Sequence, residues 1–382
     1  MAQSFTDFEI VISDNSNDGC ESVIAEFSSD IIRRVCPSEY MNVTQHWDFA
    51  LSHARGDWVV MLCDDDALVP NALQMIDQAI RNSGDLDSVS WSHASFHEES
   101  SEKYLTIPKF SNALISHRSS DLVELMFTSA GLRGVVKSVV PFFPLGAFSN
   151  KILDLIRDVN GGNLFQAPCP MTSIALFSLA LSETSVAIDA PLTVIGNPPD
   201  SAAGRVADQD AFNFMHKGVV LKYPPIKLMS VFPSAPAESF LSATAILGDL
   251  LPPLEFNYVT YFVACHVAIE ELRTGGWDVT SQREMFDAAL QTFPPALRDR
   301  VGSQIKGWRT VGSSKLVEIS PSRKITGMIG GGLRRLFSKE HLRDQVWTSD
   351  NTDLPNISAS ARLLGSKLLP ISNNNPSLRH SG

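Results

Sequence analysis

Ala54–Pro70 reads ARGDWVVMLCDDDALVP. The apolar run from Trp58 to Cys63 predicts a buried strand, and it stops at three consecutive carboxylates, Asp64, Asp65 and Asp66. Pro70 then suits the first position of a helix. A strand thus delivers three acids to one edge of a sheet. Adjacent carboxylates repel one another and cost free energy to desolvate, so grouping them there makes chemical sense with a cation to neutralise them. On these residues alone, a solvated turn with helix N-terminal charges is an equal alternative.

The flanks extend the pattern. Phe8–Ser13, FEIVIS, is an apolar, β-branched run followed at once by Asp14, Asn15, Ser16, Asn17, Asp18 and Gly19. That is a strand running into a polar loop, as where ligands bind at the carboxyl ends of strands. Ser22–Phe27 has helical character, Asp30–Val35 reads as a short strand, and Val43, Trp47, Ala50, Leu51 and Ala54 keep helical spacing up to a stop at Gly56. Beyond the acids come a helix from Pro70 to Ile80 and a strand from Ser88 to Phe96. This alternation predicts an α/β fold with a mostly parallel central sheet flanked by helices.

Further along, Pro141–Phe148 reads as an apolar loop, Asn150–Val159 as an amphipathic helix, and Met171–Leu181 as an apolar helix braced by Pro168 and Pro170. Ala187–Gly196 closes this part as a strand. Helices then follow at Tyr258–Leu272 and Arg283–Leu290. The organisation expected is an α/β domain over residues 1–204, a helical extension over 205–310 and a basic tail over 311–382 that ends in a disordered Asn-, Ser- and Pro-rich stretch.

Composition narrows the function classes. At 382 residues and 44% hydrophobic, the chain can bury a large core. A formal charge of −11 argues against nucleic acid as a partner. From Ser303 onward twelve Lys and Arg stand against five Asp and Glu, a balance of +7 that leaves −18 on the rest. Five cysteines, singly spaced and without CxxC, fit free thiols in a reducing compartment. The N-terminus lacks a signal-peptide pattern and no run is long enough to span a membrane, so the expectation is a cytoplasmic protein. The basic piece Leu333–Arg343, after Gly330, Gly331 and Gly332, reads as a solvated helix or as a peripheral contact with an anionic membrane. His93 and His97 on one strand lack a third metal ligand nearby.

FEIVISDNSND followed by HWDFALSHARGDWVVMLCDDDALVP resembles the donor-binding half of family-2 glycosyltransferases, which have the GT-A fold. The resemblance covers Phe5 to Ile80 well, and Pro144 to Gly196 more weakly. It implies transfer of a sugar from a nucleotide-sugar donor to a glycan or lipid-linked acceptor, assisted by Mn²⁺ or Mg²⁺ and inverting. Asp14 and Asn15 would meet the nucleotide, Asp66 with Asp64 would hold the metal, and Asp64 or Asp65 would orient ribose or sugar hydroxyls.

Two departures from the family pattern carry expectations of their own. The family's first strand and helix precede the segment that begins here at Ser4, so a wall of the base pocket is expected to be missing and donor binding to be weak. On the acceptor side, the position where similar proteins carry Asp is Met171, which leaves Asp154 and Asp158 as candidates for the base. These departures keep open a second reading, a catalytically impaired glycosyltransferase-like binding or scaffold protein.

Overall fold

The computed structural model describes residues 3–16, 19–27, 29–98, 103–132, 139–197, 219–311, 345–348 and 356–368. The chain opens with β1 (Ile10–Ser13), α1 (Glu21–Ala25), β2 (Ile32–Val35) and α2 (Val43–Ser52). The Asn42 side chain accepts from the Gln45 backbone N–H while Gln45 accepts from that of Asn42, so the start of α2 is closed by a reciprocal cap. There follow β3 (Trp58–Val60), β4 (Ala67–Leu68), α3 (Ala72–Ser83), β5 (Ser88–Glu98), β6 (Lys103–Ile107), β7 (Leu114–Arg118) and α4 (Ser119–Thr128). Next come β8 (Gly146–Ser149), α5 (Asn150–Val159), α6 (Pro170–Ala180) and β9 (Thr184–Asn197).

β5 and β9 form the spine of the large sheet, parallel to each other from Val89 opposite Val186 to His97 opposite Asn197. Their inner residues are apolar or small. Trp91 is fully buried and its indole N–H donates to the Thr193 hydroxyl at 2.8 Å, which fixes one strand against the other. The free side of β5 carries β8 and then β3 at its start, and β6 and then β10 (Gln345–Thr348) at its end. The far side of β9 carries β7 and β4. β1 and β2 pair in parallel as a separate two-stranded layer with no fully buried residue on either strand.

An α/β layered fold with a central sheet flanked by helices is thus present, but the sheet is not mostly parallel. Among the described pairings only β1–β2 and β5–β9 are parallel; the other six are antiparallel. The cause lies in two stretches. Residues 141–148, read as a loop, supply β8, which inserts antiparallel between β3 and β5, and the polar segment after Phe96 supplies β6, antiparallel between β5 and β10, and β7, antiparallel to β9. A buried strand is apolar whichever way its neighbour runs, so hydrophobic pattern does not report direction.

Beyond the sheet, α7 (Ser234–Leu247), α8 (Tyr258–Thr274), α9 (Thr280–Gln291) and α10 (Pro295–Val311) form a helical region, in agreement with the expected extension. Its core is aromatic: Phe262 meets Phe286 and Phe293 edge-on at 5.7 and 5.2 Å. Gln166 ties it to the sheet domain, because its carbonyl accepts from the Ser239 hydroxyl and its side-chain oxygen from the Ser242 hydroxyl, both at 2.9 Å.

Two pieces of the expected tail return to the sheet domain. β10 pairs with β6, and α11 (Ile357–Gly365) packs on β4 and β9 through buried Ala361 and Leu364. The stretches 330–343 and 372–382 and the 204/205 boundary lie outside the described residues.

Candidate functional site

β3 is antiparallel to β8 and β8 to β5, so β3, β5 and β9 all point the same way. Their carboxyl ends share one edge. The strand predicted from Trp58 to Cys63 is regular only to Val60; the chain then turns, and β4 leaves it antiparallel to β9, with Ala67 opposite Val194. That register sets Asp65 and Asp66 against Gly196. The Gly196 N–H donates to Asp66 Oδ1 at 3.2 Å, and the Asp66 N–H donates to the Cys63 carbonyl at 3.2 Å. A side chain at residue 196 would collide with the Asp65 carbonyl oxygen, so the strand must carry glycine where the acid loop crosses it. Pro70 lies just before α3, with Asn71 as the cap and Ala72 as its first residue.

The loop separates the three acids. Asp64 is exposed, while Asp65 and Asp66 are half-buried. Cys63 Sγ and one oxygen each of Asp65 and Asp66 lie within 4.8 Å of one another, and Asp64 is not in that group. The structure therefore pairs Asp66 with Asp65 rather than with Asp64. Burial, and then the charge of Asp65, pushes the Asp66 carboxyl up to about 6, against the opposing hydrogen bonds from Gly196 and Cys63. Asp65 is raised by burial and by the charge of Asp64. The Cys63 thiol is pushed up to about 12 by burial and by all three carboxylates. Burial is the largest cause of each shift, and the neighbouring carboxylates add to all three. Two carboxylates and a thiol converging at one point are a donor set that fits a divalent cation.

Asp14 sits differently. It follows β1 and is buried, with Oδ2 accepting from Arg34 Nη2 at 2.8 Å and Nε at 3.1 Å. Oδ1 accepts from the Ser16 hydroxyl at 2.5 Å and the Ser16 N–H at 2.9 Å. The Ser16 hydroxyl and then Arg34 hold its carboxyl well below the ordinary carboxylate range. Both oxygens are engaged within the chain, so Asp14 organises its own loop. Asn15 is fastened likewise, its side-chain amide donating to the Met41 carbonyl at 3.0 Å.

Asp154 and Asp158 lie on the exposed face of α5, opposite buried Ile152, Leu153 and Ile156, and Asp154 pairs with Arg157 at 2.9 Å. α5 begins beside the start of β3, where the Asn150 N–H donates to the Asp57 carbonyl at 2.8 Å. The acids are at the other end of that strand. α6, with half-buried Met171 in its first turn, contributes no carboxylate. His93 and His97 belong to β5, and His97 stacks on Tyr104 at 4.4 Å.

A polar loop after one strand and an acid loop after another, at the positions just described, fall within a single stretch of shared sequence. Residues 1–138 match glycosyl transferase family 2. The family match runs beyond the Phe5–Ile80 core of the resemblance and ends before Pro144–Gly196, so Gly196 meets the acid loop from outside it. No sequence among the curated proteins matches the chain. Among solved structures, it is similar to a mannosyltransferase from Pyrobaculum calidifontis in complex with GDP-Man and Mn²⁺, at 18% identity over 80% of each chain with a TM-score of 0.34. It is also similar to residues 1–349 of S. aureus TarS, at 12% identity over 82% of this chain and 86% of that one, with a TM-score of 0.39. These likenesses are distant.

The sequence reading missed Cys63, Gly196 and Ile357 as parts of the acid-loop neighbourhood. Cys63 had a signal, since it directly precedes the acids. The other two had none, because only tertiary pairing brings them there.

Proposed function

We propose that this chain is a metal-assisted glycosyltransferase that moves a sugar from a nucleotide-sugar donor to a glycan or lipid-linked acceptor. The observation that carries the reading is the acid loop. Half-buried Asp65 and Asp66 converge at the carboxyl edge of β3, β5 and β9, in the stretch that matches family 2. Asp65 and Asp66 would hold Mn²⁺ or Mg²⁺, and such an ion would supply Lewis-acid stabilisation of the charge that grows on the leaving diphosphate. The chain's own residues prepare the place. Gly196 aims the Asp66 carboxylate through its N–H, its missing side chain lets the two segments touch, and exposed Asp64 stands free toward solvent, where donor hydroxyls would arrive.

Inverting transfer also needs a group that takes the acceptor proton. Met171 on α6 cannot do this, and Asp154 and Asp158 lie on the exposed face of α5, where Asp154 pairs with Arg157. That observation favours a second reading, a glycosyltransferase-like binding protein of impaired turnover. Donor hydrolysis and transfer with Mn²⁺ separate the two. The first reading expects metal-dependent turnover that falls about 100-fold or more in Asp66→Asn. Donor binding without turnover in the wild type establishes the second. Of the described helices, none is long and apolar enough to cross a membrane, and contact of the basic tail with anionic lipid remains a part of the proposal that liposome co-sedimentation tests.

A further inference from the structure

We infer that Cys63 is a third ligand of the donor-site cation, making the centre a mixed thiolate–carboxylate site that takes zinc or cadmium in preference to magnesium. The inference rests on the donor-site reading above and adds to it a metal preference specific to this chain. Its basis is geometric. The Cys63 sulfur and one oxygen from each of Asp65 and Asp66 lie within 4.8 Å of one another. Donors that share one ion at about 2.0 to 2.3 Å stand at most about 4.6 Å apart, so a slight closure of this loop gathers all three around one centre.

On binding, the Cys63 thiol proton leaves to solvent and the sulfur lone pair forms the bond to the ion. The loop holds the group in place, because the Cys63 carbonyl accepts from the Asp66 N–H and the Gly196 N–H fixes Asp66 from the other side. Cys63 is half-buried, reachable by an ion yet shielded from competing water, whereas Cys169 and Cys265 are buried elsewhere in the fold. Magnesium keeps oxygen ligands and several waters, while thiolate shifts preference toward softer ions.

The test uses the full chain in a Cys20→Ser, Cys36→Ser background, which removes the exposed thiol and the other half-buried one. Cadmium titration of that protein should show a thiolate-to-cadmium charge-transfer band saturating at one equivalent. Adding Cys63→Ser should abolish the band and weaken zinc binding by at least about tenfold, while magnesium binding changes less than about threefold. Asp66→Asn should weaken both ions. Cys63→Ala serves as a second variant, and near-ultraviolet circular dichroism verifies that each folds. A band that survives Cys63→Ser, or zinc affinity unchanged by both Cys63 variants, overturns the inference while leaving the donor site intact. A wild-type protein that binds no divalent ion removes the inference and the metal-assisted reading together.

Discussion

Asp14 and Asp66, both assigned to donor binding by the family resemblance, are held in different ways. Arg34 and Ser16 saturate Asp14, whereas among the described residues Asp66 accepts from the Gly196 N–H, and burial and the Asp65 charge raise its carboxyl. A third titratable residue, far from chemistry, gives a clean test of the packing. His117 on β7 is buried opposite Ser185, its Nε2 finds no hydrogen-bond partner among the described residues, and burial pushes it down to about 4. Asp121 is the charge that opposes this shift. Because the unfolded chain takes up a proton near the ordinary histidine value and the folded one resists it, the stability contribution is complete above about pH 6.5 and is lost as the pH falls toward 4. Urea unfolding should show that His117→Leu loses about 3 kcal/mol less than wild type between pH 7 and pH 4. Equal losses in the two proteins would show that His117 is not excluded from water.

At the scale of elements, α11 is the feature with the longest reach. Ile357, at its start, lies 3.2 Å from where a side chain on Gly196 would begin, and a side chain on Gly365, at its end, would sit 2.6 Å from Pro70 Cδ. The helix thus bears on both flanks of the acid loop. Asn356 caps it by accepting from the Ala359 N–H at 3.0 Å. Gly365→Ala should push α11 off Pro70, costing about 1 to 3 kcal/mol, and should weaken Mn²⁺ binding measured by titration. Gly302→Ala in α10 is the matched control, since its added methyl meets nothing within 4 Å and should stabilise the helix by up to about 1 kcal/mol. If the two variants behave alike, α11 does not brace the loop.

For the whole molecule, the core is uneven. β5 and β9 are buried along most of their length, while β1, α1 and β2 contain no fully buried residue and make a two-stranded layer of their own. A two-stranded ribbon with little apolar cover opens at low free energy. Hydrogen exchange should therefore find the amides of Ile10–Ser13 and Ile32–Val35 exchanging at least about 100-fold faster than those of Val89–Ala94. Comparable protection in both would mean that the layer is held by more than its own ladder.

Much of this was legible in the chain itself. The Ile10–Ser13 and Trp58–Val60 strands, the helices at Val43, Asn150 and Tyr258, and the loop with three acids all follow from local pattern, because burying an apolar face leaves a period of two or of 3.6 in the sequence. The resemblance to family 2 came from the same residues. Strand direction, the entry of residues 146–149 into the sheet and the return of α11 did not show. They depend on contacts between segments far apart in sequence, and such contacts leave no period in either one. The acid loop shows the division most sharply. Its composition set out three adjacent carboxylates and the cysteine before them, and so the chemistry on offer. Only the antiparallel seat of β4 on β9 decided which of them converge, because it brings Gly196 against Asp65 and Asp66, turns Cys63 inward with them and leaves Asp64 in solvent.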